Sequence, residues 1–223
     1  MDGGSTDGTV EFLRAANDPR LKWISEPDSG QSAAINKGLG IADGDIVAWL
    51  NSDDLYKPGA LAAVVEAFKA QPDTSWLVGG CDLIDKDSRP VRASVTRFKK
   101  RRLRCFSFRS LLRMNMISQP AVFWRRHFGQ SVGPLDESLH WTMDYDLWLR
   151  MARRQRPLIL EQVLASFRVH GASKSRGGGR PQFREGYRVA CRYADGDPLG
   201  KLAHRLNVER IVWAYHAMRL IGK

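Results

Sequence analysis

The stretch Ile46-Val47-Ala48-Trp49-Leu50-Asn51-Ser52-Asp53-Asp54 decides how this chain is read. A short apolar run with the character of a buried strand ends in two adjacent carboxylates. Acids at the end of a core strand are costly to bury without partners. Their placement makes chemical sense if they hold a divalent cation and a sugar phosphate at the carboxyl edge of an α/β sheet, where open sheets bind ligands. Taken alone, the doublet is equally compatible with a plain turn, so the rest of the chain has to decide.

Working outward, helix and strand signals alternate at short intervals. Thr9 to Ala16 predicts a short helix and Leu21 to Ser25 a strand. Ser32 to Ala42 predicts a helix with Ala34, Ile35, Leu39 and Ala42 at helical spacing and Gly44 as its cap. After the Asp45–Leu50 strand, Pro58 opens a helix whose Leu61, Val64, Val65 and Phe68 share a face. Trp76 to Ile84 predicts another strand. This alternation predicts an α/β domain with a mostly parallel sheet flanked by helices. Farther on, a short helix is expected near Ser107–Met114, a strand at Ala121–Trp124, and a helix at Tyr145–Arg154 with Leu147, Trp148 and Met151 inward. Leu158–Phe167 reads as a strand, Ser173–Pro181 as a flexible basic loop, and Leu199–Ile221 as an amphipathic helical extension.

The 223 residues allow one medium domain with a sizeable core, and the composition is that of an ordinary globular protein. No apolar run approaches the roughly 20 residues that span a bilayer, and the polar, Gly-rich start does not read as a signal peptide. Cys81, Cys105 and Cys191 have neither metal-ligand spacing nor an even count, so a reducing cytoplasm is expected. The net charge of +11 points to an anionic partner. Much of it lies in one block, Arg97, Lys99, Lys100, Arg101, Arg102 and Arg104. No zinc-finger spacing, RNA-binding aromatic signature or helix-turn-helix accompanies it, so nucleic acid is not the expected partner.

Five segments, in order, carry a family resemblance: Asp2-Gly3-Gly4-Ser5-Thr6-Asp7-Gly8-Thr9; Ser25 to Ser32 with Ile35-Asn36-Lys37-Gly38; Trp49 to Tyr56; Met143-Asp144-Tyr145-Asp146-Leu147-Trp148-Leu149-Arg150; and Arg168-Val169-His170 with Ser173. Together they resemble the motifs of family 2 glycosyltransferases. The resemblance implies an A-type, Rossmann-like nucleotide-binding fold. It also implies an inverting, metal-dependent transfer from a nucleoside-diphosphate sugar, by default uridine-linked, to a glycan or lipid-linked acceptor, as in polysaccharide synthesis at the cell envelope.

By the same resemblance Asp2, Gln31 and Asp53 contact the nucleotide sugar, Asp53 at the ribose or a metal-bound water. Asp54 is a metal ligand, with His170 as a third ligand or a diphosphate contact. The metal is Mg2+ or Mn2+, which carboxylates and a diphosphate suit and which stabilises charge on the leaving group. Asp144 is the general base, with Asp146 structural; the alternative exchanges the two. Met143 stands where many relatives carry another acid. Gln119 and Trp141 line the acceptor side.

Each residue also has a plainer reading: an Asx turn for Asp2, helix caps for Asp7, Gln31 and the Asp144/Asp146 pair, core packing for the tryptophans, a solvated charge run for Lys174 and Arg176 rather than a lid over the donor. The basic block invites an anionic membrane surface, and with it a peripheral location at the inner face of the cell membrane.

The expected organisation is a glycosyltransferase domain over 1–175, with a nucleotide-sugar and metal half (1–90) and an acceptor and base half (91–175), followed by a basic loop and helical extension (176–223). The family domain opens with a strand and helix before the Asp-Gly-Gly loop, and here Met1 stands directly before Asp2. A truncated domain is therefore expected, and with it a second reading: a non-catalytic remnant acting as a binding or scaffold protein. A basic nucleic-acid or membrane binder is the distant third.

Overall fold

A computed structural model describes residues 1–171, 174–194, 196 and 198–220, the side chains of 174–178 and 210–220 excepted. Ser173 and the side chains of Lys174 and Arg176, singled out above, lie outside the described residues, as do the side chains of the last turns of the Leu199–Ile221 extension. In chain order the elements are helices α1 (Thr9–Ala15) and α2 (Gln31–Ile41), strands β1 (Ile46–Val47) and β2 (Leu55–Tyr56), α3 (Ala60–Ala70), β3 (Trp76–Ile84), α4 (Ala93–Arg104) and α5 (Phe108–Arg113). A 3-10 turn (Gln119–Ala121) then leads into β4 (Val122–Arg125), α6 (Arg126–Val132), α7 (Met143–Arg154), β5 (Leu158–Arg168), α8 (Lys174–Arg192) and α9 (Pro198–Leu220).

The strands form one sheet in the order β1-β4-β3-β5-β2. Its centre is the long β3·β5 pair, which is parallel; β1·β4, β3·β4 and β2·β5 are antiparallel. The α/β class holds, but the expected parallel character is confined to β3·β5 and an isolated parallel bridge, Asp2 to Ser25. Alternation of helix and strand signals does not report strand direction. β4 follows two helices and a 3-10 turn, and that excursion returns it to the sheet from the opposite end. The expected Leu21–Ser25 strand is reduced to that one bridge.

β3 alternates between two cores, as a strand covered on both faces must. Trp76 and Val78 enter one cluster with Trp49, Trp124, Leu111, Tyr145, Trp148 and Met151. Leu77 and Cys81 enter the other with Val64, Phe68, Phe123 and Leu164. Gly79 is required by the approach of β5, since a Cβ there would lie 2.4 Å from Leu164 Cδ1. The first cluster contains a tryptophan stack: Trp148 lies parallel to Trp49 (centroids 5.5 Å apart) and to Trp76 (6.2 Å), and Trp124 meets Trp49 edge-on at 5.7 Å. Leu147, Trp148 and Met151 are inward, as expected. On α3 the buried face is Ala60, Val64 and Phe68, packed in the second cluster with Leu77 and Leu164, while Leu61 and Val65 of the predicted stripe are exposed.

Two further expectations change, and the basic block gains a structure. α2 ends at Ile41 with Ala42, not Gly44, as its C-cap, and the Ala42 N–H donates to Gly38 O. The basic block forms helix α4, anchored by buried Leu103. Arg104 forks onto Glu161 at 2.9 and 2.8 Å, and Lys99 Nζ donates to Ser118 Oγ at 3.1 Å. The segment read as the Ser173–Pro181 loop is helical backbone from Lys174, broken at Gly179 (φ 43°, ψ −135°), two residues before Pro181; the permissive glycine lets the chain turn where proline cannot continue the hydrogen-bond ladder. α9 is seated on α5: His204, 5% exposed, meets Leu112 O at 2.6 Å through Nδ1.

Candidate functional site

After Val47 the chain leaves the sheet, and Asn51 becomes the hub of the loop that follows. Its Nδ2 donates to Asp54 Oδ2 and to Gln119 Oε1, both at 3.1 Å, and its Oδ1 accepts from Gln31 Nε2 at 2.9 Å. Gln119 Nε2 in turn donates to Trp49 O at 2.7 Å. The start of α2, the acidic loop and the entry to β4 are thereby tied together. Gln119 is buried, so it is the acidic loop's tether rather than an open acceptor surface. Gln31 is the first residue of α2, whose N-cap is Gly30, and no side chain caps that end.

Asp54 is 3% exposed and rests on the end of β5 through Oδ1, which accepts from Arg168 N at 2.8 Å. Burial pushes its carboxyl up to about 6, against the opposing hydrogen bonds from Arg168 N–H and Asn51. Asp53 points the other way: its Oδ2 lies 2.9 Å from His170 Nε2, both side chains partly exposed. Arg168 supports both acids, since its Nε donates to Asp53 O at 2.8 Å while Nη1 reaches Asp85 O (2.8 Å) and Ser88 Oγ (3.0 Å).

Asp2 organises its own loop. It accepts from Ser25 Oγ (2.6 Å), Gly4 N, Ser5 N and Ser5 Oγ, and the hydroxyls of Ser25 and Ser5, foremost among these donors, hold its carboxyl down at about 2. It is an Asx turn as well as a candidate contact. Asp7 accepts from Thr9 N and Oγ1, but the N-cap of α1 is Gly8, so Asp7 forms the turn before the helix rather than its cap.

The acids of α7 divide sharply. Asp146, 2% exposed, pairs with Arg150 Nε at 2.9 Å and accepts from Tyr193 OH at 2.7 Å. It is a strut between α7 and the end of α8. Asp144 sits in the first turn of the helix, Oδ1 accepting from Tyr145 N at 2.6 Å. Burial drives its carboxyl up to about 6, while Tyr145 N–H and then the charge of Lys99 oppose the rise and Glu185 adds to it. A carboxyl in that range can exchange a proton near neutrality. Trp141, partly exposed, stands just before α7; its N–H and that of His140 donate to the buried Glu185 carboxylate at 2.8 Å.

Sequence reasoning passed over Asn51, Arg168 as a support, Glu185 and Lys99. Asn51 and Arg168 lie inside quoted motifs and could have been found there. Glu185 had no signal, because nothing in the local sequence of α8 points to the loop it holds.

Among the described residues no group of three His, Cys, Asp or Glu side chains converges as a metal cage. That does not disqualify Mg2+ or Mn2+, which are held by one or two carboxylates plus substrate phosphates rather than by all-protein cages. The donor set fits such a shared site. Asp54 keeps acceptor capacity after its two hydrogen bonds, and Asp53 and His170 are side by side.

The mixed α/β sheet, with the acidic loop following its edge strand β1, has the A-type fold of glycosyltransferases. The model of Glycosyl transferase family 2 matches residues 1–130, and the chain belongs to that family. Among curated proteins it is similar to an uncharacterized glycosyltransferase of Mycobacterium tuberculosis, 28% identical over 181 residues. Another, of Rickettsia typhi, is 27% identical over 178 residues. These matches take in 79% and 77% of this chain but 64% and 54% of the relatives, so the chain spans somewhat more than half of their length. Among solved structures it resembles S. aureus TarS 1-349 in complex with UDP-GlcNAc, with a TM-score of 0.64, 15% identity, and coverage of 85% of this chain and 55% of that one. It also resembles the mannosyltransferase PcManGT from Pyrobaculum calidifontis in complex with GDP-Man and Mn2+, with a TM-score of 0.65, 16% identity, and coverage of 98% and 70%. At those identities the structural likeness carries the fold alone. Among the described residues no helix is long and apolar enough to cross a membrane.

Proposed function

We propose that this chain transfers a sugar from a nucleoside-diphosphate sugar to a hydroxyl acceptor with inversion, aided by a divalent cation. One observation carries the reading: the network Gln31–Asn51–Asp54–Arg168, with Asp53 and His170 beside it, gathers donor-side groups from three segments of the chain on the loop after β1. Asp54 and His170, with Asp53, would hold the cation. When bound, Mg2+ or Mn2+ supplies positive charge for the diphosphate as it leaves. Asp2 and Gln31 would contact the nucleotide, Asp2 through the acceptor capacity left on its carboxylate.

Asp144 would take the proton of the acceptor hydroxyl as its oxygen bonds to the anomeric carbon and the bond from that carbon to the diphosphate oxygen breaks. The exposed side of Trp141 would offer an aromatic face to the acceptor. A glycan or lipid-linked acceptor fits a chain of net charge +11, and of the basic block Arg97 and Arg101 are exposed enough to meet an anionic surface. The division into donor half (1–90), acceptor half (91–175) and extension (176–223) follows the same reading. Support for a sugar donor comes from neighbours solved with UDP-GlcNAc and GDP-Man. The scaffold reading is less favoured, since it leaves the desolvated Asp54 and Asp144 without a role.

Calorimetric titration with UDP and with GDP, each with and without Mn2+, tests the reading. Mn2+-dependent binding of either is expected. Absence of binding in all four titrations would overturn it and restore the scaffold reading.

A further inference from the structure

Glu185 of α8 is 3% exposed, and both of its carboxylate oxygens are engaged. Oε1 accepts from His140 N and Oε2 from Trp141 N, each at 2.8 Å. These two N–H groups precede α7, whose N-cap is Thr142, so the helix does not supply their acceptors. Burying a carboxylate is costly unless its hydrogen bonds are made, and charge-assisted bonds from two neighbouring N–H groups meet that need. The seat of Glu185 is firm. A Cβ on Gly186 would lie 3.6 Å from Thr142 Cγ2. Farther along α8, Arg192 Nη1 donates to Asp136 Oδ2 at 2.8 Å and Tyr193 OH to Asp146 Oδ1 at 2.7 Å. The other end of the same segment is gripped from α2, where Asn36 accepts from Leu135 N at 2.8 Å and donates to Leu135 O at 3.1 Å. Between these holds the chain presents two rings. The exposed His140 ring stands edge-on to the partly exposed Trp141 ring, with centroids 4.6 Å apart and planes at 90°. Asp144 follows within the first turn of α7.

We infer that Glu185 is a positioning residue for the acceptor side: by holding both N–H groups it fixes the backbone that aims the His140–Trp141 ring pair, on which an acceptor sugar ring rests. α8 then completes the site instead of trailing behind it. A carboxylate is the group required, because both oxygens must accept. Glutamine has the same shape but one accepting oxygen, and its amide would turn a donor toward the other N–H. The inference rests on the acceptor role proposed for Trp141, but the hold of Glu185 can be measured with no acceptor present.

Glu185→Gln tests it by two readouts. Exchange of the His140 and Trp141 amide protons should be about tenfold faster than in wild type, the loss of a hydrogen bond to a charged group, while exchange inside α7 at Leu149 and Met151 is unchanged. Unaltered exchange at His140 and Trp141 overturns the inference. The second readout is fluorine NMR of fluorotryptophan-labelled protein, with Trp141→Phe identifying the signal. With UDP and Mn2+ present, the methyl glycosides of glucose, galactose, mannose and N-acetylglucosamine are titrated in. At least one should move the Trp141 line in wild type, and Glu185→Gln should need about tenfold more of it. A line that none of them moves, or that moves at the same concentration in the variant, overturns the inference; a role confined to folding would leave that concentration unchanged. Calorimetry with UDP and with GDP keeps the two readings apart. Mn2+-dependent binding equal in wild type and Glu185→Gln upholds the donor site whatever becomes of Glu185, and its absence from both defeats the transferase reading whatever the amides show. Should Glu185→Gln fail to fold, wild type decides. Its His140 and Trp141 amides should exchange as slowly as those inside α7, and exchange at the rate of an open loop overturns the inference.

Discussion

Asp54 and Arg168, 114 residues apart, are joined at 2.8 Å by a hydrogen bond from the Arg168 N–H to the Asp54 carboxylate. The bond ties the acidic loop to the last residue of β5, and the Arg168 guanidinium then binds the Asp53 carbonyl and the Asp85–Ser88 turn. Two adjacent acids are thereby made to face different ways, Asp54 inward and Asp53 toward His170.

Arg168→Lys keeps the charge but loses the fork that reaches several backbone acceptors at once. Mn2+-dependent donor affinity, read by calorimetry, should fall about tenfold, the equivalent of about 1.4 kcal/mol. Unaltered affinity would remove Arg168 as the support of the acid pair.

Asp144→Asn should lower the transfer rate about 100-fold or more and leave donor binding near that of wild type, because the residue acts on the acceptor. Loss of both together would deny it the role of base. In wild type the rate should fall as pH drops through about 6, where burial has placed this carboxyl and protonation removes the base. The sign for stability follows from the same shift. A carboxyl raised from 3.8 holds its proton more tightly when folded, so its contribution diminishes as pH rises between 3.8 and about 6. The wild-type thermal midpoint should accordingly lose more than that of Asp144→Asn over this window.

Asp146→Ala should behave oppositely. Removing it leaves Tyr193 without its acceptor and Arg150 with only the Val132, Gly133 and Pro134 carbonyls, and breaking a buried ion pair costs about 3 kcal/mol or more. Urea denaturation should show that loss, with residual folded protein still binding donor. A variant of normal stability without transfer would exchange the roles of the two α7 acids.

Asp53→Ala and His170→Ala should each weaken Mn2+-dependent binding, and the double variant should lose less than the two together, because the residues are in contact. Strict additivity in calorimetry would show that the pair does not act as a unit.

The α/β class, β3, α7 and β5 were legible because their apolar spacing is long and regular. The direction of the short strands was not, since Ile46–Val47 and Leu55–Tyr56 carry too few residues to specify a partner. The site was legible where chemistry is written into adjacent residues, as in Asp53-Asp54 and Asp144-Tyr145-Asp146. It was illegible where a contact spans the chain. Nothing near Lys99 in sequence separates a lysine turned onto Ser118 from its solvated neighbours, and nothing near Glu185 announces the loop it holds. The tie between the two halves of the motif set, Asn51 to Gln119, depends on a 3-10 turn whose only local sign is Pro120.

The tryptophan stack gives the molecule an optical voice. Trp49 and Trp148 lie nearly parallel at 5.5 Å, close enough for their excited states to couple. The Trp49 carbonyl is held by the same Gln119 that holds Asn51. A ligand that rearranges the acidic loop therefore tugs on one member of a coupled chromophore pair. Circular dichroism in the indole bands and emission intensity become label-free gauges of that loop, and Trp148→Phe would remove the stacked pair's share of the signal while leaving the edge-on Trp49–Trp124 contact.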